Sequence, residues 1–490
     1  MPGLTRRSML GAGAALTGGT AIRALGAVAP PTLTVQAMQA DIRLLRQAYG
    51  RLHPGLLRYN TQAQVDARFD QLADAARRPL TLGGFYVALS RCLATIRCGH
   101  SYANFYNQSK AVRAALFDAP TRLPLQFVWL GDRMIVTADP FATGIAPGSE
   151  ILAIDGRPAR TILSALMQVA RADGHNDAKR RQLMSVLGED GYESFDVFYA
   201  LIFGGRTRYA LQIAAPDGRR RAALVDAVTL EKRRSQQAIA DAGRDDGPIW
   251  TMARRGRAGV LTMNGWGLYN SKWNWRGWLD AEVDRLVADR VPALIVDIRR
   301  NEGGEDCGDA LVARLTDRPI VSDPARRLVR YQTLPADLRP YCDTWDRAFD
   351  TLGVGAARYD DRFYELAGEE RGATVIAPKG PRYTGKIVVL TGPQNSSATF
   401  AFAQMIQRER LGTLVGEPTG GNRRGINGGC FYFFRLPETG LEADLPLIGT
   451  FPRTAEPDAG IVPDIIAARS PQATASGTDV AMDRALAMLG

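Results

Sequence analysis

The 490-residue sequence contains few lysines, histidines and cysteines. Six of its 61 basic residues are lysines, and there are three histidines and five cysteines. Neither C-x-x-C nor H-E-x-x-H occurs, so almost no zinc ligands are available, and we expect neither a metal nor an organic cofactor. The odd cysteine count leaves at least one thiol unpaired. Cys92 and Cys98 could form a disulfide or lie in the core, and a core location is favoured.

The chain also lacks a clustered basic face and, beyond its N-terminus, a long apolar run. The formal net charge is +10, but the basic residues are scattered along the chain. A nucleic-acid-binding protein would need a basic stripe, and a membrane span would need about 20 apolar residues. Hydrophobic residues at 46% and charged residues at 23% are ordinary for a globular protein.

The N-terminus resembles an export signal. Arg6 and Arg7 are followed by a short stretch rich in Gly and Ala, which is typical of a twin-arginine signal peptide. We therefore expect residues 1–29 to be removed and the mature protein to be periplasmic or otherwise extracytoplasmic. A disordered N-terminal arm is the alternative.

The remaining chain changes character twice. Residues 36–118 show helical periodicity, whereas residues 119–228 contain short strand-like runs, including a hairpin around Pro216-Asp217-Gly218. Residues 245–470 alternate buried strands with helices, which predicts an α/β fold with parallel strands. Residues 335–375 are interpreted as an insertion on that core.

The most informative segment is KIVVLTGPQNSSATFAFAQMI, residues 386–406. A buried strand ends at Thr391, and Ser396-Ser397 open a helix. A helix N-terminus favours negative charge, so it supports a nucleophilic serine and the oxyanion formed on attack. The alternative is that one of the serines only caps the helix, as serine commonly does.

Three further segments carry candidate chemistry. After the strand ALIVDI, Gly303 and Gly304 could expose N–H groups to an oxyanion, although the pattern is not the G-x-G-x-x-G of a dinucleotide site. His100, in RCGHS, is a candidate general base. Glu456 and Asp458, in PRTAEPDAGIVPDI, could orient a histidine. Taken alone, each segment is also compatible with an ordinary turn, a structural histidine or solvated loop charge.

In chain order these motifs resemble the C-terminal processing peptidase and tricorn protease family of serine peptidases. LIVDIRRNEGG resembles its D-x-R-x-N-x-G-G strand end, VVLTGPQNSSATFAFA its nucleophile element, and GIVPDI its closing G-x-x-P-D. The resemblance implies a crotonase-like catalytic core, a PDZ-like domain over 119–228 and Ser397 as the nucleophile. Protein or peptide substrates are implied as partners, whereas the oligomeric state is not.

The resemblance also guides the choice of base. The processing-peptidase branch uses a lysine in the turn that here reads GEPTGGN, where Asn422 stands instead. The tricorn-like branch implies His100 as base and an acid just before G-x-x-P-D, assigned to Glu456 with Asp458 as competitor. Oxyanion donors would be Gly303 or Gly304 together with Ala398. The competing hypotheses are a non-catalytic peptide- or apolar-ligand-binding relative, and an esterase or amidase using the same serine.

Overall fold

A computed structural model describes residues 32–235, 247–322, 324–366 and 375–489. The α-helices, in chain order, are α1 (Val35–Leu52), α2 (Gln62–Ala75), α3 (Leu82–Ala94), α4 (Lys110–Leu116), α5 (Ala159–Leu166), α6 (Asp177–Leu183), α7 (Ser194–Phe203), α8 (Leu230–Ser235), α9 (Trp275–Ala288), α10 (Cys307–Ala313), α11 (Ser397–Arg408), α12 (Pro471–Ser476) and α13 (Val480–Leu489). Short 3₁₀-helices lie at Arg339–Tyr341 and Arg347–Thr351.

The strands, in chain order, are β1 (Thr32–Leu33), β2 (Leu80–Thr81), β3 (Gln126–Leu130), β4 (Arg133–Ala138), β5 (Glu150–Ile154), β6 (Arg157–Pro158), β7 (Arg208–Ala214), β8 (Arg220–Asp226), β9 (Trp250–Arg255), β10 (Ala258–Met263), β11 (Ala293–Asp297), β12 (Ile320–Val321), β13 (Arg326–Val329), β14 (Cys342–Asp343), β15 (Ala357–Arg358), β16 (Tyr364–Glu365), β17 (Val375–Ile376), β18 (Lys386–Thr391), β19 (Thr413–Gly416), β20 (Asn427–Arg435), β21 (Glu442–Phe451) and β22 (Ile465–Ile466).

A mainly parallel sheet forms the centre of the C-terminal half. Its strand order is β22-β19-β18-β11-β10-β9, and only β9 runs antiparallel to its neighbour. Helices cover both faces, which explains why β11 and β18 are almost wholly apolar. Alternate residues point to opposite sides: Leu294 and Val389 pack toward α9, α10 and α11, whereas Ile295 and Val388 pack toward α13. The α/β fold class is confirmed.

A second, antiparallel sheet connects this core to the N-terminal helices. Its order is β14-β20-β21-β13-β16-β15. Alternate residues of β20 and β21, such as Tyr432 and Leu445, join one hydrophobic cluster with the apolar faces of α1, α2 and α3. The Tyr49 hydroxyl of α1 donates to the Asp444 carbonyl at 2.7 Å. The segment interpreted as an insertion, 335–375, contributes three short strands to this sheet, β14, β15 and β16, and its residues 367–374 lie outside the described ones.

The third sheet belongs to the region predicted to be PDZ-like. Strands β3, β4, β5, β7 and β8 form an antiparallel sheet, and the predicted hairpin is present as β7 and β8. Helices α5, α6 and α7 accompany it. The segment between α5 and α6 contacts the C-terminal core, where the Asn176 amide donates to the Thr419 carbonyl at 2.9 Å.

Three sequence predictions concern features outside the sheets. Cys92 and Cys98 are both buried with free thiols, so no disulfide joins them. In the described ranges no helix is long and apolar enough to cross a membrane, and no group of side chains there could hold a metal ion. The predicted signal peptide, 1–29, lies outside the described residues, so it stays a prediction.

Candidate active site

Ser397 lies where the central strand β18 turns into helix α11. We call the connecting residues 392–396 the nucleophile turn. Ser397 is the first residue of α11 and has a φ of +50°, a left-handed conformation that is uncommon and strained for a residue with a side chain. Ser396 instead donates its hydroxyl to the Glu302 carbonyl at 3.2 Å. The side chain of Ser396 is thus fixed to a neighbouring loop, whereas Ser397 is half-exposed at the helix N-terminus.

Two buried asparagines hold the nucleophile turn against residues 298–304, which we call the oxyanion loop. The Asn395 side chain accepts from the Gly392 N–H at 2.8 Å and donates to the carbonyls of Ile298 and Asn301. Asn301 in turn donates to the Met263 carbonyl at 2.8 Å. Both asparagines are fully buried, so the two loops share one satisfied polar network.

Gly303 lies in close contact with the N-terminus of α11. It has a φ of +118°, and a Cβ there would lie 2.9 Å from the Ser396 carbonyl oxygen and 3.0 Å from both the Ala398 nitrogen and the Ser397 Cβ. The first N–H groups of a helix have no intrahelical acceptor, so the Ala398 N–H has none within α11, and it lies beside a backbone that only glycine allows to come this close. The Gly303 N–H itself donates to Asn301 Oδ1 at 2.9 Å, so in this conformation it is bound within the oxyanion loop and is not free to bind a substrate oxygen.

Gly304 lies against the backbone of Trp266. A Cβ on Gly304 would collide with the Trp266 carbonyl group, and the two residues form a parallel bridge. The absence of a side chain therefore permits a close approach of two backbone segments. Of the three predicted oxyanion donors, Ala398 is the one whose position at a free helix end is directly suited to the role.

His100 lies in the loop that follows α3, beside Phe431 of β20, with ring centroids 5.6 Å apart. Its Nδ1 is buried and has no hydrogen-bond partner among the described residues. Burial lowers the pKa of the imidazole. The Arg171 and Lys179 cations also lower it, whereas the Asp173 and Glu302 carboxylates oppose the shift. The imidazole is therefore neutral near pH 7, which is the state that a general base needs.

A cluster of charged side chains is centred on Glu302 of the oxyanion loop. Glu302 pairs with Lys179 at 2.9 Å and with Arg171 at 3.2 Å. Although burial opposes it, these two cations hold the pKa of the Glu302 carboxyl well below its usual range. The site therefore carries a fixed carboxylate immediately before Gly303, compensated by two cations.

The two acids expected to orient His100 contact other residues. Glu456 pairs with Arg423 at 2.8 Å. Asp458 accepts from His175 Nδ1 at 2.6 Å and from the Asn422 amide at 2.7 Å. Asp458 does hold a histidine, but that histidine is His175, because residues 173–177 lie between the Asp458 loop and His100. The contacts of Glu456 and Asp458 thus do not support the orienting role that the motif implied.

The comparison with known families decides the identity of the core. Residues 257–428 match the model of peptidase family S41. The chain carries a peptidase S41 domain. This domain holds Ser397, the nucleophile turn and the oxyanion loop, and the family that the motifs resembled is confirmed. No curated protein sequence is significantly similar to the chain.

Solved structures show that the fold extends beyond the S41 domain. Mature CPAF superimposes with a TM-score of 0.65 at 16% identity, covering 93% of this chain and 98% of that one. A structure of mature CPAF complexed with lactacystin gives 0.60 at 15% identity, covering 93% and 97%. The photosystem II D1 C-terminal processing protease covers 91% of this chain at 14% identity with a TM-score of 0.41. At these identities the likeness to CPAF establishes a shared fold.

Sequence reasoning did not find four of the charged residues around the S41 site: Arg171, Asp173, Lys179 and Glu302. Glu302 was visible inside the motif RRNEGG, and Lys179 is one of only six lysines, so both carried a weak signal. Arg171 and Asp173 lie in a segment without a motif, and the tertiary fold alone brings them to His100.

Proposed function

We propose that the chain is a serine peptidase that hydrolyses peptide bonds of proteins or peptides through an acyl-enzyme, with Ser397 as nucleophile and His100 as general base. The observation that carries the proposal is the geometry of Ser397. It is a strained residue at a helix N-terminus, against which Gly303 packs closely because it has no side chain, within an S41 domain. A serine that merely caps a helix has no need of either feature.

The first half of the proposed reaction forms the acyl-enzyme. Ser397 Oγ attacks the carbonyl carbon of the substrate while His100 accepts the hydroxyl proton. The electron pair of the C=O bond moves to the oxygen, and the Ala398 N–H with the α11 dipole stabilises the resulting charge. When the tetrahedral species collapses, the C–N bond breaks and His100 returns the proton to the leaving amine.

Water completes the reaction on the acyl-enzyme. His100 takes a proton from the water as its oxygen attacks the ester carbon, and the proton passes to Ser397 Oγ as the ester bond breaks. During each half-reaction His100 becomes a cation, and the Asp173 and Glu302 carboxylates are the acidic groups that act on it most strongly. We assign them the stabilisation of this cation, in place of Glu456 and Asp458.

We further propose that the enzyme is exported and acts outside the cytoplasm. The support is the Arg6-Arg7 pair followed by a short Gly- and Ala-rich stretch. Fusing residues 1–35 to a reporter that is active only after twin-arginine export tests this directly. Replacing both arginines with lysine should abolish the signal if the proposal is right.

A mass-spectrometric digest tests the peptidase proposal. The mature protein and its Ser397→Ala, His100→Ala and Ser396→Ala variants are incubated with a mixture of unfolded proteins. We expect cuts that Ser397→Ala and His100→Ala both lose, whereas Ser396→Ala, which removes only the bond to the Glu302 carbonyl, keeps the same cut sites.

Other outcomes favour the competing hypotheses. Cuts that persist in Ser397→Ala would mean that the nucleophile is wrong. If no peptide is cut but small esters are hydrolysed with the same dependence on Ser397, the enzyme is an esterase. If nothing is hydrolysed, the chain is a binding protein, and extraction of its ligand becomes the next step.

A further inference from the structure

Residues 171–179, which we call the bridging segment, contact each loop of the candidate site. They lie between α5 and α6 of the predicted PDZ-like region and include the first residues of α6. Arg171 donates to the Gly99 carbonyl at 2.5 Å, and Asp173 accepts from the Gly99 N–H at 2.8 Å. The bridging segment therefore binds both the backbone carbonyl and the backbone N–H of Gly99, the residue before His100.

The end of the bridging segment reaches the other two loops. The side chain of Lys179 is only 2% exposed. Its ammonium group pairs with Glu302 at 2.9 Å and donates to the Gln394 carbonyl at 2.9 Å. Glu302 directly precedes Gly303 in the oxyanion loop, and Gln394 lies in the nucleophile turn three residues before Ser397. One buried cation thus joins the two loops between which the substrate carbonyl must sit.

The contacts of Lys179 argue against its acting as the general base. A base must offer a lone pair, whereas this ammonium group pairs with a carboxylate and donates to a carbonyl. Burial lowers the pKa of Lys179, and the Glu302 carboxylate opposes that shift. Burying an ammonium group is expensive unless it is paired, so the retention of both bonds in a closed site points to a geometric role.

We propose that Lys179 is a positioning residue, whose bonds to Glu302 and Gln394 hold the oxyanion loop and the nucleophile turn at the separation that the transition state requires. This inference rests on the proposed function, because it assigns Lys179 a part in the same reaction. It differs from the family pattern of a lysine in the GEPTGGN turn, since Lys179 comes from the PDZ-like region and touches no reacting atom.

Variants at both ends of the ion pair test this role. Lys179→Met keeps the length of the side chain and removes the charge, whereas Glu302→Gln keeps the shape of the partner. Lys386→Met is the matched control, because Lys386 is an exposed lysine of β18 on the strand before Ser397. Thermal unfolding identifies any variant that does not fold. If Lys179→Met fails, hydrogen exchange over residues 392–398 in Glu302→Gln carries the test, because a loss of kcat in Glu302→Gln would also follow from the effect of Glu302 on the His100 cation.

The first readout is the rate of cleavage of a fluorescence-quenched peptide, whose sequence is taken from a cut site found in the mass-spectrometric digest. We expect kcat to fall by about 10- to 100-fold in Lys179→Met with KM changed by about twofold or less, since misplacing catalytic groups costs rate rather than affinity. The double variant Lys179→Met/Glu302→Gln should be no slower than the slower single variant. Unchanged kcat in both single variants would overturn the proposal, as would loss of affinity alone.

Hydrogen exchange gives a second readout that does not depend on catalysis. Peptides covering 298–304 and 392–398 should exchange faster in Lys179→Met than in wild type or Lys386→Met. If wild type proves inactive but this difference appears, the peptidase function fails while the positioning contact stands. If wild type is active and exchange and kcat are unchanged in Lys179→Met, the positioning role fails while the peptidase function stands.

Discussion

Replacing Gly303 with alanine is the most informative small change that the site allows. The new Cβ would lie 2.9 Å from the Ser396 carbonyl oxygen and 3.0 Å from the Ala398 nitrogen, so it must displace the backbone that presents the Ala398 N–H. Removing one oxyanion donor costs about 2.7–4 kcal/mol of transition-state stabilisation, or about 10²- to 10³-fold in kcat. The alanine also carries a backbone strain of about 1–2 kcal/mol, because residue 303 has a positive φ.

Gly355→Ala separates the two effects. Gly355 has a φ of +80°, and a Cβ there would meet nothing within 4 Å, so alanine at this position adds strain without filling a site. We expect both variants to unfold at lower temperature than wild type and only Gly303→Ala to lose kcat, measured with the quenched peptide. If Gly303→Ala keeps kcat within about threefold of Gly355→Ala, the space in front of Ala398 is not the oxyanion site.

Three further predictions concern charge and burial. Asp173→Asn should move the acid limb of the pH profile of kcat/KM to lower pH, because Asp173 raises the pKa of His100 against the effect of burial. Asp458→Asn, which removes the partner of His175, should leave that limb unchanged. The opposite pattern would mean that Asp458 is the acid that acts on His100. Burial, with Arg58 and Arg330, lowers the pKa of His53 from 6.5 to about 3, so its neutral form stabilises the fold above pH 6.5 and this stability is lost as the pH falls toward 3. At pH 5 the loss in the free energy of unfolding is about 2 kcal/mol. His53→Gln should therefore make the free energy of unfolding in urea depend less on pH between 6.5 and 3, whereas the control His175→Gln, at an exposed histidine, should not. Arg233 and Asp196 form an ion pair whose side chains are 1% and 2% exposed. Arg233→Met should therefore lower the free energy of unfolding by about 3–5 kcal/mol, because it leaves a buried carboxylate unpaired. The control Arg208→Met, which breaks the exposed pair with Asp226, should change the free energy of unfolding by about 1 kcal/mol or less.

The sequence predicted well those elements whose own residues carry a clear pattern, such as an unbroken apolar run or a turn before a helix. Strands β11 and β18 are apolar on both faces because helices cover both sides of the sheet, so their runs of Ile, Val and Leu were readable directly. The same holds for the helix after Ser397, whose start follows a strand and a Gly-Pro turn. The nucleophile element was visible for this reason, and its S41 identity followed from the order of motifs.

The antiparallel sheet built on β20 and β21 was not predicted. Residues 427–435 alternate between the core and the outer face, with Tyr432 and Phe434 buried and Phe431 and Phe433 partly exposed. This alternation of burial has the period of a strand, but aromatic residues occupy both faces, so the sequence does not alternate between apolar and polar residues. The strands that flank β20 and β21, which are β14 and β13, come from residues 326–343, too far along the chain for local patterns to reveal the pairing.

The acids around His100 could not be predicted for a different reason. The motif placed an acid before GIVPDI, and Asp458 does bind a histidine, but the intervening residues 173–177 supply His175 to it. Asp173 reaches the His100 loop from the same segment through the Gly99 N–H. Contacts between segments 74 residues apart depend on how the region containing the third sheet packs on the core, which no local pattern encodes.

The most direct test of the account is the site of covalent labelling by a fluorophosphonate. This reagent phosphonylates an activated serine with loss of fluoride, and peptide mapping locates the adduct. The account predicts a single adduct on Ser397 in the wild type, none in Ser397→Ala, and slower labelling in His100→Ala, with Ser396→Ala still labelled. An adduct on another serine, or labelling that persists in Ser397→Ala, would contradict it.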